Sequence, residues 1–268
     1  PGVTVEKKEG TLKGHPEAVI QDLPGIYSLS PYSPEELVTR RYLVEDHPDV
    51  ILNIVDGTNI ERNLYLTTQL MDLGHPVVLA VNMIDLVRKN GDAIDLEKLG
   101  KALGCPCMEI SALKGEGCME AAEAALALGK NHTHSDRPHV FGGSVEHALA
   151  HIEESIEGKV QANYLRWYAI KLFERDEMVR KELNFPQALL DHLEMHIQDC
   201  EREMDDDAES IIADQRYTYI ESVIRKAVQK KAPKHSLSLS DKIDRVVTDR
   251  VLALPIFALI MFGMYAIA

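Results

Sequence analysis

The sequence has few cysteines and a shortage of positive charge. The cysteines are irregularly spaced at Cys105, Cys107, Cys118 and Cys200, so they indicate reduced thiols rather than a disulfide framework or a zinc site. Lysine and arginine number 29 against 43 acidic residues, which gives a formal charge of −14. Because non-specific nucleic-acid binding needs a cationic surface, the chain is not predicted to bind nucleic acid.

Two further absences concern the start of the chain and its phosphate chemistry. No secretory signal peptide opens the sequence, and it begins at Pro1 without a methionine, which predicts a fragment of a longer protein. The glycine loop G-x-x-x-x-G-K-[S/T], whose backbone amides cradle nucleotide phosphates, occurs nowhere in the 268 residues. The chain therefore lacks the usual phosphate cradle of nucleotide hydrolases.

The most informative stretch is Pro76–Asp85, which reads PVVLAVNMID. Its apolar run predicts a strand buried on both faces of a parallel sheet. Asn82 and Asp85 follow at the carboxyl end, where open α/β sheets bind their ligands. A carboxylate there can accept hydrogen bonds from the N1–H and the exocyclic amino group of guanine, a donor pair that adenine lacks. Taken alone, N-x-x-D is equally typical of an ordinary turn.

Two more predicted strand ends carry short polar motifs. Val19-Ile20 leads into the D-x-x-G motif Asp22-Leu-Pro-Gly25. In nucleotide hydrolases such an aspartate reaches Mg²⁺ through a water molecule, and the glycine amide approaches the γ-phosphate. The strand at 107–110 leads into Ser111-Ala112, whose small side chains let backbone amides approach a base carbonyl. Each motif in isolation also fits a plain turn.

The order and spacing of the three motifs make them specific. D-x-x-G, N-x-x-D about 60 residues later and S-A about 26 residues further on form the signature series of Ras-like GTPases. With PGVTVE ahead of them and NIERNLYLTTQL between them, the chain resembles the ferrous iron transport protein B family. The resemblance implies an α/β Ras-like P-loop GTPase sheet, truncated at its N-terminus, followed by a small all-α subdomain and a partial transmembrane helix.

The resemblance also implies a role for each motif residue. Thr4 is the switch I threonine and meets Mg²⁺ and the γ-phosphate, while Asp22 and Gly25 form switch II, with Asp22 reaching Mg²⁺ through water. The residues implied to bind the guanine base are Asn82, Met83, Asp85, Ser111 and Ala112. The implied ligands are accordingly GTP or GDP together with Mg²⁺.

One departure from the Ras-like pattern bears on hydrolysis. Ile26 follows Gly25 where Ras-like enzymes keep a glutamine that orients the attacking water. An apolar side chain cannot do this, so the sequence predicts slow intrinsic hydrolysis in which backbone groups or a monovalent cation position the water. The absence of a glycine loop further predicts that this chain alone is inactive. The strand that precedes that loop in Ras-like proteins is expected to separate the strands ending at Asp22 and Asp56, which would otherwise expose unpaired edges.

The second half of the chain changes in composition towards helix formers and ends in an apolar segment. The predicted organisation is a G domain at 1–130, a linker at 131–143, a helical regulatory subdomain at 144–231, a juxtamembrane linker at 232–250 and the start of a transmembrane helix at 251–268. The last segment carries no charge, and about 20 apolar residues span a membrane; a buried soluble helix is the alternative. Basic residues on its amino side predict that residues 1–245 are cytoplasmic.

The function implied is that of the GTP-binding and GTP-hydrolysing portion of a multi-pass Fe²⁺ transporter in the bacterial inner membrane. Its implied partners are its own transmembrane domain, the transported Fe²⁺, small cytosolic regulatory proteins and further copies of itself in a homo-oligomer. Two alternatives remain open from the residues. One is a soluble Ras-like GTPase of ribosome or tRNA maturation, and the other is a membrane scaffold without nucleotide chemistry.

Overall fold

A computed structural model describes residues 8–30, 33–131, 138–230, 261, 262 and 264. The chain divides into two units, 1–229 and 230–268, and the second is described only at Lys230, Met261, Phe262 and Met264. Within the described residues, no helix has both the length and the apolar composition needed to cross a membrane. Thr4 and most of the predicted membrane segment 251–268 lie outside the described residues.

The first unit combines short strands with ten α-helices and two short 3₁₀ helices among its described residues. The strands are β1 (Lys8–Leu12), β2 (His15–Asp22), β3 (Ile51–Asp56), β4 (Val77–Asn82), β5 (Ala93–Ile94), β6 (Cys107–Glu109) and β7 (Val228–Gln229). The helices are α1 (Pro34–Glu45), α2 (Ile60–Asp72), α3 (Ile84–Asn90), α4 (Leu96–Leu103), α5 (Cys118–Lys130), α6 (Gly143–Ile156), α7 (Leu165–Phe173), α8 (Glu177–Leu183), α9 (Gln187–Met204) and α10 (Ala208–Ala227).

A parallel sheet of β3, β4 and β6 organises the first half of the chain. Strand β4 is central and pairs with β3 from Ile51 opposite Val77 to Asp56 opposite Asn82. The five residues 77–81 are fully buried, as expected for a strand covered by helices on both faces. This confirms the apolar strand predicted from the sequence and sets Asn82 at its carboxyl end.

Strands β1 and β2 form a separate antiparallel hairpin, and β1 was not predicted from the sequence. Among the described residues, β2 pairs only with β1 and β3 pairs only with β4. Val19 is 70% exposed on β2, and Ile54 is 58% exposed on β3. Apolar side chains on strands are ordinarily buried, so these two strands present uncovered apolar surface within the described part of the chain. The expectation that they expose unpaired edges is confirmed there.

Local sequence signals set several helix ends. Ser33 and Glu36 form a capping box at α1, in which each side chain accepts a hydrogen bond from the other residue's backbone amide. Gly104 ends α4 in the left-handed conformation, at φ +75°. Both features follow from residue types that favour helix ends, a serine before the first turn and a glycine after the last.

The helices α6 to α10 share a hydrophobic core with the first half of the chain. Leu43 and Leu70 lie in one buried cluster with Leu149, Trp167 and Ile197. Val140 and Phe141, in the predicted polar linker, are also buried in this cluster. The C-terminal end of the linker therefore packs into the core, which its overall polar composition did not predict.

One short strand contradicts the prediction that residues 144–231 contain only helices. Strand β7, directly after α10, pairs with β5 in an antiparallel ladder of two residues on each side. The Asp95 amide next to β5 also donates to the carbonyl of Ala227, at 2.8 Å. A strand of two residues is too short to show an alternating sequence pattern. Its pairing partner also lies more than 130 positions earlier, so no local signal predicts the ladder.

Candidate functional site

Asp85 lies at the carboxyl edge of the parallel sheet, in the first turn of α3. Its Oδ1 accepts a hydrogen bond from the Ser111 hydroxyl at 3.3 Å, and its Oδ2 lies 3.5 Å from Nζ of Lys114. The Asp85 side chain is 24% exposed, so part of the carboxylate remains open to a ligand. The structure therefore brings Asp85 and Ser111 together, as their positions at two neighbouring strand ends predicted.

The side-chain oxygen of Asn82 joins the segment after β4 to the loop at 111–112. Its Oδ1 accepts from the amide of Met83 at 2.8 Å and from the amide of Ala112 at 3.0 Å. The sequence predicted that the small residues 111–112 let backbone amides approach a base carbonyl, and in this structure the Ala112 amide is paired with Asn82. A base carbonyl would have to share or displace this hydrogen bond. Asn82 thus holds the loop at 111–112 beside the end of β4.

The backbone around these side chains adopts conformations that few residues tolerate. Met83 has φ +60°, a left-handed conformation that is uncommon for a residue other than glycine, and it lies directly before α3. Gly117 has φ +73°, and a Cβ there would lie 2.2 Å from the carbonyl oxygen of Glu109. Only glycine fits this turn, which closes through two backbone hydrogen bonds between Ser111 and Glu116.

The charge of Asp85 is maintained by its neighbours. Burial alone would raise the pKa of Asp85, but the Lys114 ammonium and the Ser111 hydroxyl outweigh this effect and lower the pKa below its ordinary value. The group is therefore an ionised double acceptor near neutral pH. This is the form that can accept two hydrogen bonds from one ligand edge.

Asp56 ends β3 beside Asn82, and its side chain organises the next turn. Its Oδ1 accepts from the amide and the hydroxyl of Thr58, and its Oδ2 accepts from the Asn59 side chain at 3.1 Å. Gly57 is also constrained, since a Cβ there would lie 2.9 Å from the Asn82 carbonyl oxygen. The turn into α2 therefore packs closely against the end of β4.

The D-x-x-G segment lies apart from this cluster in the described contacts. Asp22 ends β2 and is exposed, and its carboxylate makes no hydrogen bond or ion pair with the described residues. Gly25 is also exposed, and no atom of the described residues lies within 4 Å of the position that a Cβ would take there. Ile26, in contrast, packs against the core. No described hydrogen bond joins Asp22 or Gly25 to Asp85.

The residues after Ile26 are tied to α2. The Leu29 amide donates to Oε1 of Gln69 at 2.7 Å, and the Ser28 hydroxyl donates to the same oxygen at 3.2 Å. Leu29 is fully buried, so this attachment is part of the core. The D-x-x-G segment thus runs directly into a fixed contact with α2.

Two residues beside the cluster of Asn82, Asp85 and Ser111 were not assigned a role from the sequence. Lys114 supplies the cation beside Asp85, and Gly117 allows the return of the loop past Glu109. The run Lys114-Gly-Glu-Gly117 carried the signal, because two glycines within four residues indicate a tight turn. Its position directly after Ser111-Ala112 could have placed the lysine near the site.

Comparisons with known proteins match both halves of the chain. The family model described as "Ferrous iron transport protein B" matches residues 1–125, and the one described as "FeoB cytosolic helical domain" matches residues 141–229. A Porphyromonas gingivalis protein named "Fe(2+) transport protein A/Fe(2+) transporter FeoB fusion protein" is 41% identical over 98% of this chain and 33% of its own length. The Escherichia coli (strain K12) "Fe(2+) transporter FeoB" is 32% identical over 100% of this chain and 34% of its own length. The chain spans about a third of the length of these curated relatives.

Solved structures match the fold. A GDP-bound variant of the S. thermophilus FeoB G-domain aligns with a TM-score of 0.82 at 43% identity, covering 85% of this chain and 88% of that one. The mGMPPNP-bound NFeoB from S. thermophilus aligns with a TM-score of 0.79 at 42% identity, covering 88% of each chain. Together with the parallel sheet and the motifs at its edge, these matches define a Ras-like G-domain fold followed by a helical domain. The chain belongs to the ferrous iron transport protein B family.

Proposed function

We propose that this chain is the GTP-binding and GTP-hydrolysing cytosolic portion of a bacterial Fe²⁺ transporter, and that its nucleotide state regulates iron uptake. The observation that carries the proposal is the cluster of Asn82, Asp85 and the loop at 111–112 at one edge of the sheet. The transport half of the proposal is supported by the similarity to relatives that are named Fe²⁺ transporters.

In this proposal the base is read by Asp85. Its carboxylate accepts from the N1–H and the exocyclic amino group of guanine. Adenine would leave these acceptors without donors, which weakens its binding by about 1–3 kcal/mol. Met83 is 40% exposed beside the cluster and covers one face of the base. The guanine carbonyl is proposed to accept from the Ala112 amide by sharing or displacing the hydrogen bond that this amide donates to Asn82.

The phosphate side is proposed to use the other motif residues. Thr4 and Asp22 would hold Mg²⁺, and the Asp22 carboxylate, which is exposed and has no partner among the described residues, fits the hard oxygen ligands that this ion prefers. The ion supplies charge neutralisation at the terminal phosphates. Ile26 packs into the core and leaves the attacking water to backbone groups or a monovalent cation, so hydrolysis is slow.

The 268 residues by themselves are proposed to bind nucleotide weakly and not to hydrolyse it. They contain no G-x-x-x-x-G-K-[S/T] loop, and in the described part of the chain β2 pairs only with β1 and β3 only with β4, so each strand has one unpaired edge. The proposed domains are a G domain at 1–130 and a helical regulatory subdomain at 144–231. Residues 1–245 are proposed to lie in the cytoplasm. The proposed partners are the transporter's own membrane domain, small cytosolic regulatory proteins and further copies of the protein.

A continuous set of contacts could carry the nucleotide state to the helices. The segment after Gly25 is fixed to Gln69 of α2, and one turn along that helix Asp72 binds Arg216 of α10 at 2.6 Å. Arg216 is 1% exposed and also donates to Thr68 at 3.2 Å. Movement of switch II would therefore shift α2 against a buried ion pair, and a two-state element of this kind can couple distant sites.

Trp167 offers a test of this coupling, because it is the single tryptophan of these 268 residues and lies buried in α7. In the transporter that contains this chain, with every tryptophan outside the 268 residues replaced by phenylalanine, GTP in place of GDP is expected to change the Trp167 emission. Replacing Arg216→Met should remove the change and, by leaving Asp72 buried without a partner, lower the unfolding free energy by about 3–5 kcal/mol. The double variant Arg216→Met with Asp72→Leu should recover stability but not the emission change. An unaltered emission response in the double variant would contradict the coupling route.

The function itself is tested by Fe²⁺ uptake in cells that depend on this transporter. Asp85→Asn should reduce uptake severalfold at limiting GTP, because guanine recognition is weakened. Glu120→Gln, which removes an exposed carboxylate from the first turn of α5, serves as the matched control and should leave uptake unchanged. Equal uptake with both variants, at equal protein levels, would refute the role assigned to the base site.

A further inference from the structure

Four histidine rings lie in contact between α6 and α9. His147 and His151 are one helical turn apart on α6, and His192 and His196 are one turn apart on α9. The rings of His151 and His196 are nearly parallel, with centroids 4.5 Å apart and an interplanar angle of 9°. Each of these two rings also meets the other histidine of its own helix edge to face, at 4.6 Å on α6 and 4.9 Å on α9. These four residues are called the histidine stack.

The histidine stack lies beside the apolar packing of the two helices. Residues four apart lie on one face of a helix, so each helix presents two imidazoles in the same direction. Ile152 follows His151 and Ile197 follows His196, and both isoleucines are fully buried in one core cluster. Leu70 of α2 belongs to the same cluster. The contact between α6 and α9 is therefore part of the core that these helices share with the first half of the chain.

One nitrogen of the stack is placed where a proton is unfavourable. The His196 Nε2 atom is buried and has no hydrogen-bond partner among the described residues. In the imidazolium form it would be a buried charged donor without an acceptor, which is costly. The pKa of His196 is lowered, first by burial and then by the neighbouring rings of His151 and His192. The folded arrangement therefore favours a neutral ring.

Negative charge near the stack does not offset this effect. Asp199 favours protonation of His196, but its exposed carboxylate is bound to Arg202 on the same helix. The Glu154 carboxylate lies 4.0 Å from Nδ1 of His151, but its side chain is 81% exposed, so water screens its charge. Neither carboxylate outweighs burial and the other imidazoles, because the pKa of His196 remains lowered.

The other helices that pack on α6 and α9 supply little further charge to the stack. Both charged residues of α7 have partners of their own, Arg166 in two glutamates of α6 and Lys171 in Glu174. Within the described chain, no charged residue of α10 is among the groups that act most strongly on His196. The protonation of the stack is therefore governed mainly by burial and by its own four rings.

We propose that the histidine stack is an acid-sensitive joint, which holds α6 against α9 when its imidazoles are neutral and loosens when they take up protons. Two imidazolium ions at the distances between these rings repel each other, and parting of the helices would let water reach both charges. Histidine is the side chain whose ordinary titration falls between pH 5 and 8, so the joint responds within that range.

The direction of the pH effect follows from proton binding. Because the pKa of His196 is lowered in the folded state, this state binds fewer protons than a state in which the two helices have parted. The stabilisation is therefore complete above the ordinary histidine pKa of about 6.5 and is lost as the pH falls through the lowered value.

The proposal is independent of the nucleotide function, and its test observes the two helices directly. In the transporter that contains this chain, hydrogen exchange followed by mass spectrometry reports the protection of peptides from α6 and α9. After correction for the effect of pH on intrinsic exchange, this protection should fall at least about threefold from about pH 7.5 to about pH 5.5. Peptides from α4, which is not in contact with the stack, should keep their protection and serve as the internal reference.

Variants separate the joint from general sensitivity to acid. His151→Phe with His196→Phe keeps two packed rings that cannot take up protons, so α6 and α9 should be equally protected at both pH values. His147→Gln with His192→Gln changes the exposed pair, so the fold is expected to persist and the loss of protection to become smaller. His139→Gln, an exposed histidine outside the stack, is the matched control and should respond as the unmodified protein does. Constant protection in the unmodified protein, or an undiminished loss in either double variant, would overturn the proposal.

Discussion

The two sides of the proposed nucleotide site are built differently. On the base side, Asn82, Asp85 and Ser111 are linked across two loops by hydrogen bonds at the end of a fully buried strand. On the phosphate side, Asp22 and Gly25 are exposed and make no described contact with that cluster. The difference teaches that the parallel sheet itself brings the proposed base-binding residues together, whereas the described contacts do not join Asp22 and Gly25 to them.

The largest expected effect comes from changing the hydrogen-bonding character of Asp85. Asp85→Asn replaces one acceptor with a donor, so the preference of the chain for GMP over AMP should fall tenfold to a hundredfold, which corresponds to roughly 1.4–2.8 kcal/mol. The same carboxamide matches the N1–H and the C2 carbonyl of xanthine, so XMP should become the preferred ligand. Competition binding of GMP, XMP and AMP measures both effects. A retained GMP preference would show that the base is read elsewhere.

The next effect tests whether the base side is held together by Asn82. Asn82→Ala leaves the amides of Met83 and Ala112 without their acceptor, so GMP affinity should fall about tenfold and the free energy of unfolding by about 1 kcal/mol. Urea unfolding and GMP titration measure the two quantities. Asn63→Ala, on the exposed side of α2, removes an amide of the same size and should leave GMP affinity as it is.

A smaller effect concerns pH. The pKa of Asp85 is lowered, so the ionised acceptor persists as the pH falls from 7 to 5, and GMP binding should be lost only when the pH falls through that low value. Lys114→Met removes the neighbouring cation, raises the pKa and moves the loss of binding to higher pH. Lys89→Met, at the end of α3, is the control. An acid limit that is the same in all three proteins would mean that Lys114 does not set the charge of Asp85.

The smallest effect is expected on the phosphate side. Because the 268 residues carry no glycine loop, GMP, GDP and GTP should bind to them with affinities within about threefold of one another. Asp22→Asn should change none of these affinities by more than about twofold in this chain. Isothermal titration with the three nucleotides provides the measurement. If affinity instead rose steeply from GMP to GDP to GTP, the 268 residues would contain a working phosphate site, and the base and phosphate sides would not differ as described.

Local signals explain why much of the fold was predictable. The apolar run before Asn82, the capping residues at Ser33 and the glycine after α4 each act within a few positions, and the structure agrees with all three. The site residues 82, 85 and 111 were placed together because parallel strands end at a common edge.

The features that the sequence did not reveal depend on distant partners. Strand β7 pairs with β5 across more than 130 residues, and the ion pair of Arg216 with Asp72 joins helices that are similarly far apart. The Ala112 amide donates to Asn82 in the structure, and the sequence does not show whether an amide at this position pairs with a side chain or with a ligand. The stack of histidines likewise arises only when α6 packs on α9.

The central claim is that Asp85 and the loop beside Asn82 recognise guanine. Two-dimensional ¹H–¹⁵N NMR of the 268-residue chain, titrated in parallel with GMP and AMP, tests it at the atoms concerned. The account predicts that GMP shifts the amide signals of Met83 and Ala112 and that AMP at equal concentration does not. Equal shifts from both nucleotides, or GMP-dependent shifts confined to other parts of the chain, would contradict it.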